Sequence, residues 1–577
     1  MFEQIVRTAE YIVWSFGIPV GEEVIPFLVI ALLGTGIFLT LRLGFIQVRR
    51  LAHGFAVTTG RYDDPDEPGD VSHFQALTTA LSATVGIGNI AGVAIAIHWG
   101  GPGALFWMWV TAGLGMALKY SEVTLAQKYR DVHAPEPGKA RAWDGSVSGG
   151  PMYYIERGLG KRWKPVAMFF AGALIATSFL TGNGVQANTI ADNLLHEFGL
   201  PMWVSGLVTA TLVALVILGG IKRIGAVTSV LAPVMAVIYV FGALLILALN
   251  YDQVLPAFAT IFKEAFNPTA GVAGAGTGAF LLTMMWGVRR GLFSNEAGQG
   301  SAPIAHAAAQ TDEPVSEGVV ALLEPFIDTI VICTMTGLVV IATGVWDDRV
   351  PTELALAGGD RSFIEVAAGG GTTRGAAAPE QIDVAGGKQP ETGVVFAWHE
   401  APVDSFFLDA GHQRPFTGTL YPREGRAVVA ADGSEHTTLY GLAAESGAPL
   451  TKLAFQRNLG ALGGYIVLLS VLLFGISTAI SWSYYGDRCA NYLFGAKGVL
   501  PYKLLFVVMH FVGAVTSLAT IWTIGDIALG LVTFPNLIAV VMLSGVVVKL
   551  TSSYFERRPW EENAEAHRKW VETHRKK

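Results

Sequence analysis

The sequence has few charged residues and only two cysteines. Of its 577 residues, 15% are Asp, Glu, Lys or Arg, whereas 52% are hydrophobic, and the mean hydropathy is +0.46. These values differ widely from the averages of water-soluble domains. The two cysteines, Cys333 and Cys489, exclude a disulfide framework and make a cysteine-ligated metal site unexpected. The composition therefore predicts a protein that crosses a membrane many times.

Motifs typical of enzymes and of ATP-driven pumps are also missing. The 12 histidines form no spacing typical of metal ligands, and the sequence contains no glycine-lysine phosphate loop of the Walker type. His98, His306 and His510 lie in or near apolar segments, where we interpret each as a structural residue. We expect a protein that is not an enzyme, is surrounded by membrane lipid, and has neither a nucleic-acid partner nor an obligate protein partner.

Apolar windows of about the ~20 residues that cross a bilayer core recur along the chain. They predict eleven transmembrane helices, at about 23–42, 75–98, 103–126, 165–187, 202–220, 226–248, 275–300, 318–345, 459–484, 501–522 and 527–548. The first is interpreted as a peripheral helix, and the other ten divide into five and five. The predicted domains are the N-terminal segment 1–74, a first inverted repeat 75–248, a second inverted repeat in two parts (249–345 and 459–549), an insertion 346–458 and a tail 550–577.

The distribution of Lys and Arg predicts the orientation of these helices. Basic residues concentrate in the loops 43–72 and 127–164 and in the C-terminal tail, whereas the short segments on the opposite side hold only Arg7 and Lys263. Because basic loops stay in the cytoplasm, we predict a multi-pass protein of the cell (inner) membrane, with its N-terminus outside and its C-terminus cytoplasmic. Residues 1–22 lack the features of a signal peptide and are interpreted as mature protein.

The insertion at 346–458 differs in composition from the rest of the chain. It is polar, contains no window of spanning length, and falls on the outer side by alternation. The runs 393–398 and 427–431 are typical of short strands separated by turns. We therefore predict an all-α polytopic membrane protein that carries an extracytoplasmic β-rich insertion. The alternative is a disordered insertion, which the Ala- and Gly-rich run 367–373 favours.

One stretch organises the membrane portion. Residues 84–93 place Gly86, Gly88 and Gly92 in the middle of an otherwise apolar helix. Glycine loosens a helix, and an unpaired backbone amide is costly in lipid, so this break must face protein, an ion or a substrate. A second glycine-rich interruption is predicted at 286–298 in another apolar helix. Two interrupted helices at corresponding positions of two halves are typical of the binding site of an inverted-repeat transporter.

Several long motifs resemble the alanine or glycine:cation symporters. They are Phe-Gln-Ala-Leu at 74–77, Gly-Ile-Gly-Asn-Ile-Ala-Gly-Val at 86–93, and the runs 100–109, 149–154, 291–298, 477–482 and 484–486. The resemblance covers nearly the whole membrane portion. It implies a leucine-transporter-type fold with one added N-terminal helix, and sodium- or proton-coupled uptake of alanine, glycine or a similar small amino acid. Ile87 departs from the threonine of many relatives, and the 346–458 insertion lies outside the family pattern.

Backbone groups freed at such breaks can replace water around a zwitterion. Half-helix N-termini offer N–H groups to a carboxylate, and freed carbonyls can hold an ammonium group or Na⁺. Bulky rings around the side chain would admit only a small neutral amino acid. The predicted substrate-binding residues are Gly86, Gly88, Asn89, Ala91, Gly92, Gly287, Gly291 and Phe293 at the breaks, with Phe179, Asn183 and Trp482 around the side chain. Close helix packing through small residues is the alternative for the glycines.

Na⁺ is the predicted coupling ion, with H⁺ as the alternative. Na⁺ takes oxygen ligands, which hydroxyls and freed carbonyls supply without a fixed buried charge. The resemblance places Ser477 and Thr478 near the ion, and we add Thr84 at the first break. A Ser-Thr pair within a helix can instead bond back to the carbonyls of its own turn.

Five charged residues lie at membrane depth, where each is expensive unless it is paired. They are Arg289, Arg290, Glu296, Glu324 and Asp328. We predict that they form a salt-bridge group that braces or gates the cytoplasmic half of the protein. A proton relay is the alternative interpretation.

These observations together predict a secondary active symporter that works by alternating access. A proton-coupled permease of the same fold is the nearest alternative, and its uptake would survive replacement of Na⁺ by choline. An ion channel is the alternative from another class. A channel would pass ions downhill without a saturable dependence on an amino acid.

Overall fold

Helices dominate the structure. The computed structural model describes residues 8–20, 23–64, 67–132, 147–268, 277–357, 361–366, 372–373, 376–399, 401–516 and 518–574. The helices labelled here are α1 (Phe27–Arg42), α2 (His73–Thr84), α3 (Val93–Gly100), α4 (Ala104–Tyr129), α5 (Lys164–Phe179), α6 (Val185–Phe198), α7 (Met202–Ile217), α8 (Gly220–Leu249), α9 (Tyr251–Phe266), α10 (Thr277–Asn295), α11 (Pro303–His306), α12 (Pro314–Ala321), α13 (Leu323–Pro325), α14 (Thr334–Ala342), α15 (Gly447–Leu459), α16 (Ala461–Phe494), α17 (Val499–Val515), α18 (Leu518–Arg557) and α19 (Pro559–His574).

Shorter helical segments connect or interrupt these helices. Single short α-helices lie at Ile46–Arg49, Leu51–Thr58 and Pro151–Tyr153, and 3-10 turns at Lys161–Trp163, Val345–Asp347 and Ala496–Gly498. Wider π-helical turns lie at Tyr11–Ser15, Gly88–Gly92, Tyr154–Gly158, Leu180–Gly184 and Phe326–Cys333. Such wide turns inside α-helices are frequent at functional sites.

Among the described residues, six helical stretches are long and apolar enough to cross a membrane, and the bent pair α2–α3 raises the number to as many as seven. Two further helices, α1 and α7, are apolar but shorter. The remaining predicted windows correspond to α4 and α10, which carry buried charges such as Lys119 and Arg290. Each predicted window thus overlaps a described helix, while the count of eleven spans stays a prediction.

Local sequence explains where α2 begins. Ser72 precedes the helix, and its hydroxyl accepts a hydrogen bond from the Gln75 N–H, while the Gln75 side chain accepts one from the Ser72 N–H. This reciprocal pair satisfies two of the free amides at a helix start. The helix ends at Thr84, just before the first glycine of the predicted break, and α3 continues at an angle of 52° to it.

Most strands lie in the region predicted as the insertion. They are β5 (Val350–Ala355), β6 (Arg361–Val366), β7 (Thr372–Thr373), β8 (Ile382–Val384), β9 (Gly393–Trp398), β10 (Ala401–Pro402), β11 (Ser405–Phe407), β12 (Gly418–Tyr421), β13 (Arg426–Val429), β14 (Glu435–His436) and β15 (Thr438–Ala443), and four short strands elsewhere are β1 (Gly17–Val20), β2 (Glu23–Pro26), β3 (Asp131–Val132) and β4 (Val147–Ser148). Antiparallel pairing joins β5 to β15, β6 to β9, and β12 to β13.

Aromatic side chains form the core of the strand-rich region. Phe396, Phe406 and Phe416 are fully or almost fully buried there. The run 393–398 forms β9, and the run 427–431 overlaps β13. Residues 367–371, on which the alternative of disorder mainly depends, lie outside the described residues. The extracytoplasmic location of this region stays a prediction.

One contact at each terminus of the bent pair α2–α3 distinguishes the two ends of the molecule. At the first, which we call the insertion end, the His98 ring at the end of α3 contacts the backbone oxygen of His399 (Nε2 to O, 2.7 Å). At the second, which we call the basic end, the loop before α2 contacts the loop after α11, where the Asp70 N–H donates to the Ala308 carbonyl (2.8 Å). The two ends lie at opposite termini of the bent pair α2–α3.

Candidate functional site

The first predicted break is present between α2 and α3. Val85 leaves the helical conformation (φ −74°, ψ 85°), and the chain resumes as the π-helical turn 88–92. The freed Gly86 N–H donates to Asn89 Oδ1 (2.8 Å), and the Ile87 N–H donates to Gln186 Oε1 (3.4 Å). All four residues are buried. The side-chain amide oxygens of Asn89 and Gln186 therefore accept hydrogen bonds from backbone N–H groups that this break leaves without helical partners.

Two hydroxyl groups of α16 face the end of α2. Thr478 Oγ1 donates to the Ser82 carbonyl (3.0 Å), and Ser477 Oγ lies 3.5 Å from the same oxygen. A Cβ atom added at Gly86 would lie only 2.6 Å from Thr478 Oγ1, so glycine permits this approach. The carbonyl and the two hydroxyls are oxygen ligands of the kind that Na⁺ takes at an unwound helix. The Ser477 hydroxyl also donates back to its own helix, to the Phe474 carbonyl (2.9 Å), and the Thr84 hydroxyl donates only to its own helix, to Ala80 or Leu81 (3.3 Å each).

A buried carboxylate lies on another side of the break. Asn89 Nδ2 donates to Asp328 Oδ1 (2.6 Å), while the hydroxyls of Ser294 and Thr329 donate to Asp328 Oδ2 (2.7 Å each). These side chains are fully buried. The donors are neutral, and within the described part of the chain Asp328 has no basic side chain as an ion-pair partner. The prediction that it pairs with Arg289 and Arg290 is therefore wrong.

One predicted ring, Phe293, contacts the break, and the other, Trp482, lies one turn beyond Thr478 on α16. Phe293 packs on Gly88, where an added Cβ would lie 2.9 Å from Phe293 Cδ1. The indole of Trp482 packs on Gly182 and donates from Nε1 to Glu296 Oε1 (2.9 Å). Both rings are buried, at 7% and 1% exposure. Ala91 and Gly92 lie on other sides of the same turn, near Gly447 and Arg290 respectively.

The second predicted break is misplaced. Helix α10 is continuous through Gly287 and Gly291 and ends only at Asn295. A Cβ atom at Gly287 would lie 2.4 Å from the Ala104 carbonyl oxygen, and one at Gly291 would lie 3.1 Å from Thr111 Cβ. Both glycines thus pack α10 against α4, as the alternative interpretation stated. The interruption follows α10, at 296–302, where Glu296 has a positive φ of 55°.

Phe179 and Asn183 do not face the first break. The Phe179 ring stacks on Tyr502 of α17 (centroids 5.2 Å apart). Asn183 Nδ2 donates to the Phe506 carbonyl (2.8 Å), and its oxygen lies 2.6 Å from His510 Nδ1. A wide turn at 180–184 changes the helical register, which the spacing of four residues did not anticipate. These two side chains brace α17 instead.

The two arginines have a partner that the sequence analysis missed. Arg289 Nε and Arg290 Nη2 lie 3.0 and 2.5 Å from Asp526 Oδ2, in α18. Asp526 fell between two apolar windows and was therefore assigned to a loop. The cluster lies towards the insertion end, because the Arg290 guanidinium covers the ring of Trp286, which stacks on Trp99 near the end of α3. The predicted place of these arginines in the cytoplasmic half is therefore not supported.

The predicted partners of Glu296 and Glu324 are also wrong. Glu296 accepts hydrogen bonds from Trp482 and Ser301. Glu324 accepts one from Lys119 Nζ (3.0 Å) and contacts His306. The five charged residues thus belong to separate groups, one of which lies at the first break.

Comparison with known proteins identifies the family of this chain. The family model described as the sodium:alanine symporter family matches residues 5–360 and 427–568. The chain belongs to the sodium:alanine symporter family. The match leaves out 361–426, so the part of this chain outside the family pattern is narrower than the predicted 346–458. Membership and the apolar helices together make the chain a multi-pass membrane protein of a symporter family.

Similar members of the family come from archaea and bacteria. The sodium/alanine symporter AgcS of Methanococcus maripaludis is 39% identical over 562 residues, which cover 96% of this chain and 98% of that protein. The putative sodium/proton-dependent alanine carrier protein YrbD of Bacillus subtilis is 32% identical over 519 residues, 89% of this chain and 86% of the other. MhsT, solved in complex with L-phenylalanine, aligns with a TM-score of 0.49 and 12% identity over 86% of this chain and 96% of its own.

The first break thus adjoins a group of buried polar side chains that includes Asn89, Asp328, Ser294 and Thr329. The sequence analysis named Gly86, Gly88, Asn89, Ser477 and Thr478, whose role in binding stays a prediction, and did not name other residues that contact the break. Ser294, Thr329 and Gln186 are small or uncharged polar residues in apolar helices. The only sequence signal for these three residues is a polar side chain in an apolar helix, because their spacing does not indicate contact with residues 84–93.

Proposed function

We propose that this protein couples inward movement of Na⁺ to uptake of a small neutral amino acid, alanine or glycine, by alternating access. The observation that carries the proposal is the contact between Thr478 Oγ1 and the Ser82 carbonyl beside Gly86. At this point a bent helix has main-chain groups that bond to side chains instead of to its own backbone, and a neighbouring helix offers hydroxyls. Inverted five-helix repeats around this point and an N-terminus outside remain part of the proposal.

The substrate carboxylate would bind the amides of the break. Gly86 and Ile87 direct their N–H groups to the side-chain oxygens of Asn89 and Gln186. A carboxylate is a stronger acceptor than a neutral amide oxygen, because charge-assisted hydrogen bonds are about twice as strong as neutral ones. We infer that the substrate displaces these two side-chain oxygens. Asn89 would then turn its amide towards the bound molecule.

The size of the substrate would be limited by Phe293 and Trp482. Both rings are buried, and each makes a fixed contact, Phe293 with Gly88 at the break and Trp482 with Glu296. A methyl group or a hydrogen atom needs little space between two such rings. A larger side chain would have to displace them, which costs about 1–3 kcal/mol in a packed core.

Na⁺ would bind where Ser82, Ser477 and Thr478 bring three oxygens together, with Thr84 as a further predicted ligand. The driving force is sufficient for accumulation. At ~100 mV one cation contributes roughly 2.3 kcal/mol, and a tenfold gradient adds about 1.4 kcal/mol. Their sum supports an accumulation of a neutral zwitterion on the order of 500-fold.

Alternating access needs closure on both sides of the site. We assign the closure at the insertion end to Arg289, Arg290 and Asp526, which join α10 to α18. Helix α10 contacts the first break through Phe293 and Arg290, so separation of this cluster would open a path to the break. Both arginines thus keep their predicted gating role in this proposal, but their partner is Asp526 and they act at the insertion end.

Transport by proteoliposomes tests this function. Vesicles that contain the purified protein are given labelled alanine or glycine outside, with or without an inward Na⁺ gradient. We expect accumulation only with the gradient, and its collapse when a sodium ionophore is added. Uptake that persists at constant pH when choline replaces Na⁺ would favour proton coupling. Saturable alanine uptake that is absent under every ion gradient would contradict the proposal.

A further inference from the structure

Five buried side chains form a continuous chain of contacts near the basic end. We call Lys119, Glu324, His306, Glu317 and His73, in that order, the basic-end network. Lys119 Nζ lies 3.0 Å from Glu324 Oε2, and the two ring nitrogens of His306 lie 2.5 Å from Glu324 and from Glu317. His73 Nδ1 contacts the other oxygen of Glu317. None of the five side chains is more than 2% exposed.

The geometry of His306 fixes the number of protons in this network. A neutral imidazole has one N–H donor and one acceptor nitrogen, whereas an ionised carboxylate only accepts. Nδ1 faces Glu317 and Nε2 faces Glu324, so two protons must lie in these two contacts. One of the two is therefore an added proton, whether it is counted on His306 or on a carboxyl group.

Charge balance requires the same proton. Lys119 contributes one positive charge, and Glu317 and Glu324 contribute two negative charges. With the added proton the network is neutral, and without it one net negative charge remains fully buried. An uncompensated buried charge is strongly unfavourable.

Other titratable groups surround the network on each element that packs against it. They are Glu122 and Arg130 on α4, Glu296 after α10, Tyr485 on α16, and Asp63 and Glu67 before α2. Glu122 accepts a hydrogen bond from Asn536, and Arg130 donates to the carbonyls of Ala307 and Ala309. More carboxyl groups than basic groups thus face the network, which favours retention of a proton.

His73 connects the network to the surface. Its Nε2 lies 3.9 Å from Asp63 Oδ1, and the Asp63 side chain is 31% exposed. His73 is the first residue of α2, the half-helix that precedes the break, whereas Glu317 lies in α12. Movement of α2 at this end would separate these two residues and open the network to water.

We propose that the basic-end network is a proton-binding site. One proton, shared by His306, Glu317 and Glu324, holds α2 against α12, and it leaves to water through His73 and Asp63 when α2 moves away. The movement of α2 depends on the alternating access proposed above, whereas the proton site does not. The ligand is H⁺, separate from the ion and the amino acid at the first break.

A stability cycle on the purified protein tests the proton site without transport. We compare the thermal unfolding midpoints of H306Q, E317Q and H306Q/E317Q at pH 8. H306Q leaves a buried negative charge that E317Q removes, so the double variant should unfold at a higher temperature than H306Q, by roughly 5 °C or more. A double variant that is less stable than H306Q would overturn the proposal. H510Q, at a buried histidine outside the network, should combine additively with E317Q.

Alanine exchange at equal pH on both sides tests the release step. With Na⁺ on both sides, the wild-type exchange rate should rise with pH, by up to about tenfold per pH unit, because the movement that opens the network to water is coupled to release of one proton. E317Q keeps hydrogen bonds to His306 and His73 but needs no added proton, so its rate should change less than about twofold per pH unit. A flat wild-type profile, or an unchanged profile in E317Q, would overturn the release step. If the wild type exchanges no alanine at all, the proposed function fails, while the stability cycle still decides the proton site.

Discussion

The interruption before α3 and the interruption after α10 contain different kinds of polar side chains. At 85–92 the freed backbone groups meet neutral side chains, among them Asn89 and Thr478. The interruption after α10, at 296–302, contains the carboxylate of Glu296. Trp482 and Ser301 donate hydrogen bonds to this carboxylate and so orient it. In the proposed binding mode, the first interruption offers main-chain groups to the substrate, and the second positions side chains around it. A helix can be interrupted for either purpose, and glycine content does not distinguish them.

The largest expected effect comes from removal of the polar groups at the first interruption. Asn89→Leu removes the amide that contacts Gly86 and Asp328, and Thr478→Val removes the hydroxyl that faces Ser82. Each variant should reduce Na⁺-driven alanine uptake to background while the protein remains folded, as size-exclusion chromatography checks. Thr211→Val changes a hydroxyl that bonds to its own helix on an exposed face, so its uptake should match the wild type. Wild-type rates in Asn89→Leu and Thr478→Val would remove the site assignment.

The next largest effect concerns the charged cluster that flanks α10. Asp526→Asn removes the carboxylate that forms an ion pair with Arg290, whose side chain is 3% exposed. Breaking such a buried pair costs about 3–5 kcal/mol. The thermal unfolding midpoint should therefore fall clearly. Glu561→Gln breaks an exposed pair with Arg558 and should change stability by less than about 1 kcal/mol. Equal effects in the two variants would show that the Asp526 cluster is not structural.

Glycine substitutions separate packing from binding. Gly287→Ala would place a Cβ atom 2.4 Å from the Ala104 carbonyl oxygen, and we expect a loss of about 1–3 kcal/mol in stability with unchanged alanine affinity. Gly86→Ala would instead place a Cβ atom against Thr478 Oγ1. It should weaken Na⁺-dependent alanine binding more than stability. Thermal unfolding and equilibrium binding measure the two effects. If Gly287→Ala weakened binding more than stability, and Gly86→Ala weakened stability more than binding, Gly287 would belong to the binding site.

The smallest effect is expected at the rings outside the site. Phe179→Leu loses stacking on Tyr502, which is worth about 0.5–1.5 kcal/mol, and should not alter which amino acids compete with alanine. Trp482→Leu should widen the range of competitors, because the proposed binding mode places this ring, unlike Phe179, at the substrate side chain. Competition of serine and leucine with labelled alanine measures both. A change of selectivity in Phe179→Leu would restore that residue to the substrate site.

Much of the fold follows from local sequence properties. Apolar windows located the long helices, because burial in lipid requires about 20 apolar residues in succession. Glycine at 86, 88 and 92 located the first interruption, because three closely spaced glycines weaken a helix strongly. Gly287 and Gly291 are four residues apart and therefore lie on one face, the small-xxx-small pattern of helix packing. That spacing already favoured packing over a break.

The partners of buried charges could not be predicted in the same way. Asp526 is more than 200 positions from Arg289 and Arg290, and no pattern within one helix encodes such a contact. His306 looked structural in the sequence, because the carboxylates on its two nitrogens come from separate short helices, α12 and α13. The wide turn at 180–184 likewise redirected Asn183 by a change of register. Helical spacing fails where the helix itself departs from 3.6 residues per turn.

Equilibrium binding of labelled alanine to the purified protein, as a function of Na⁺ concentration, tests the central claim most directly. It reports on the first interruption without the rest of the transport cycle. We predict saturable binding that requires Na⁺ in the wild type and in Gly287→Ala, and no Na⁺-dependent binding in Thr478→Val. Wild-type binding in Thr478→Val, with the same dependence on Na⁺, would contradict the assignment of ion and substrate to residues 84–93 and α16.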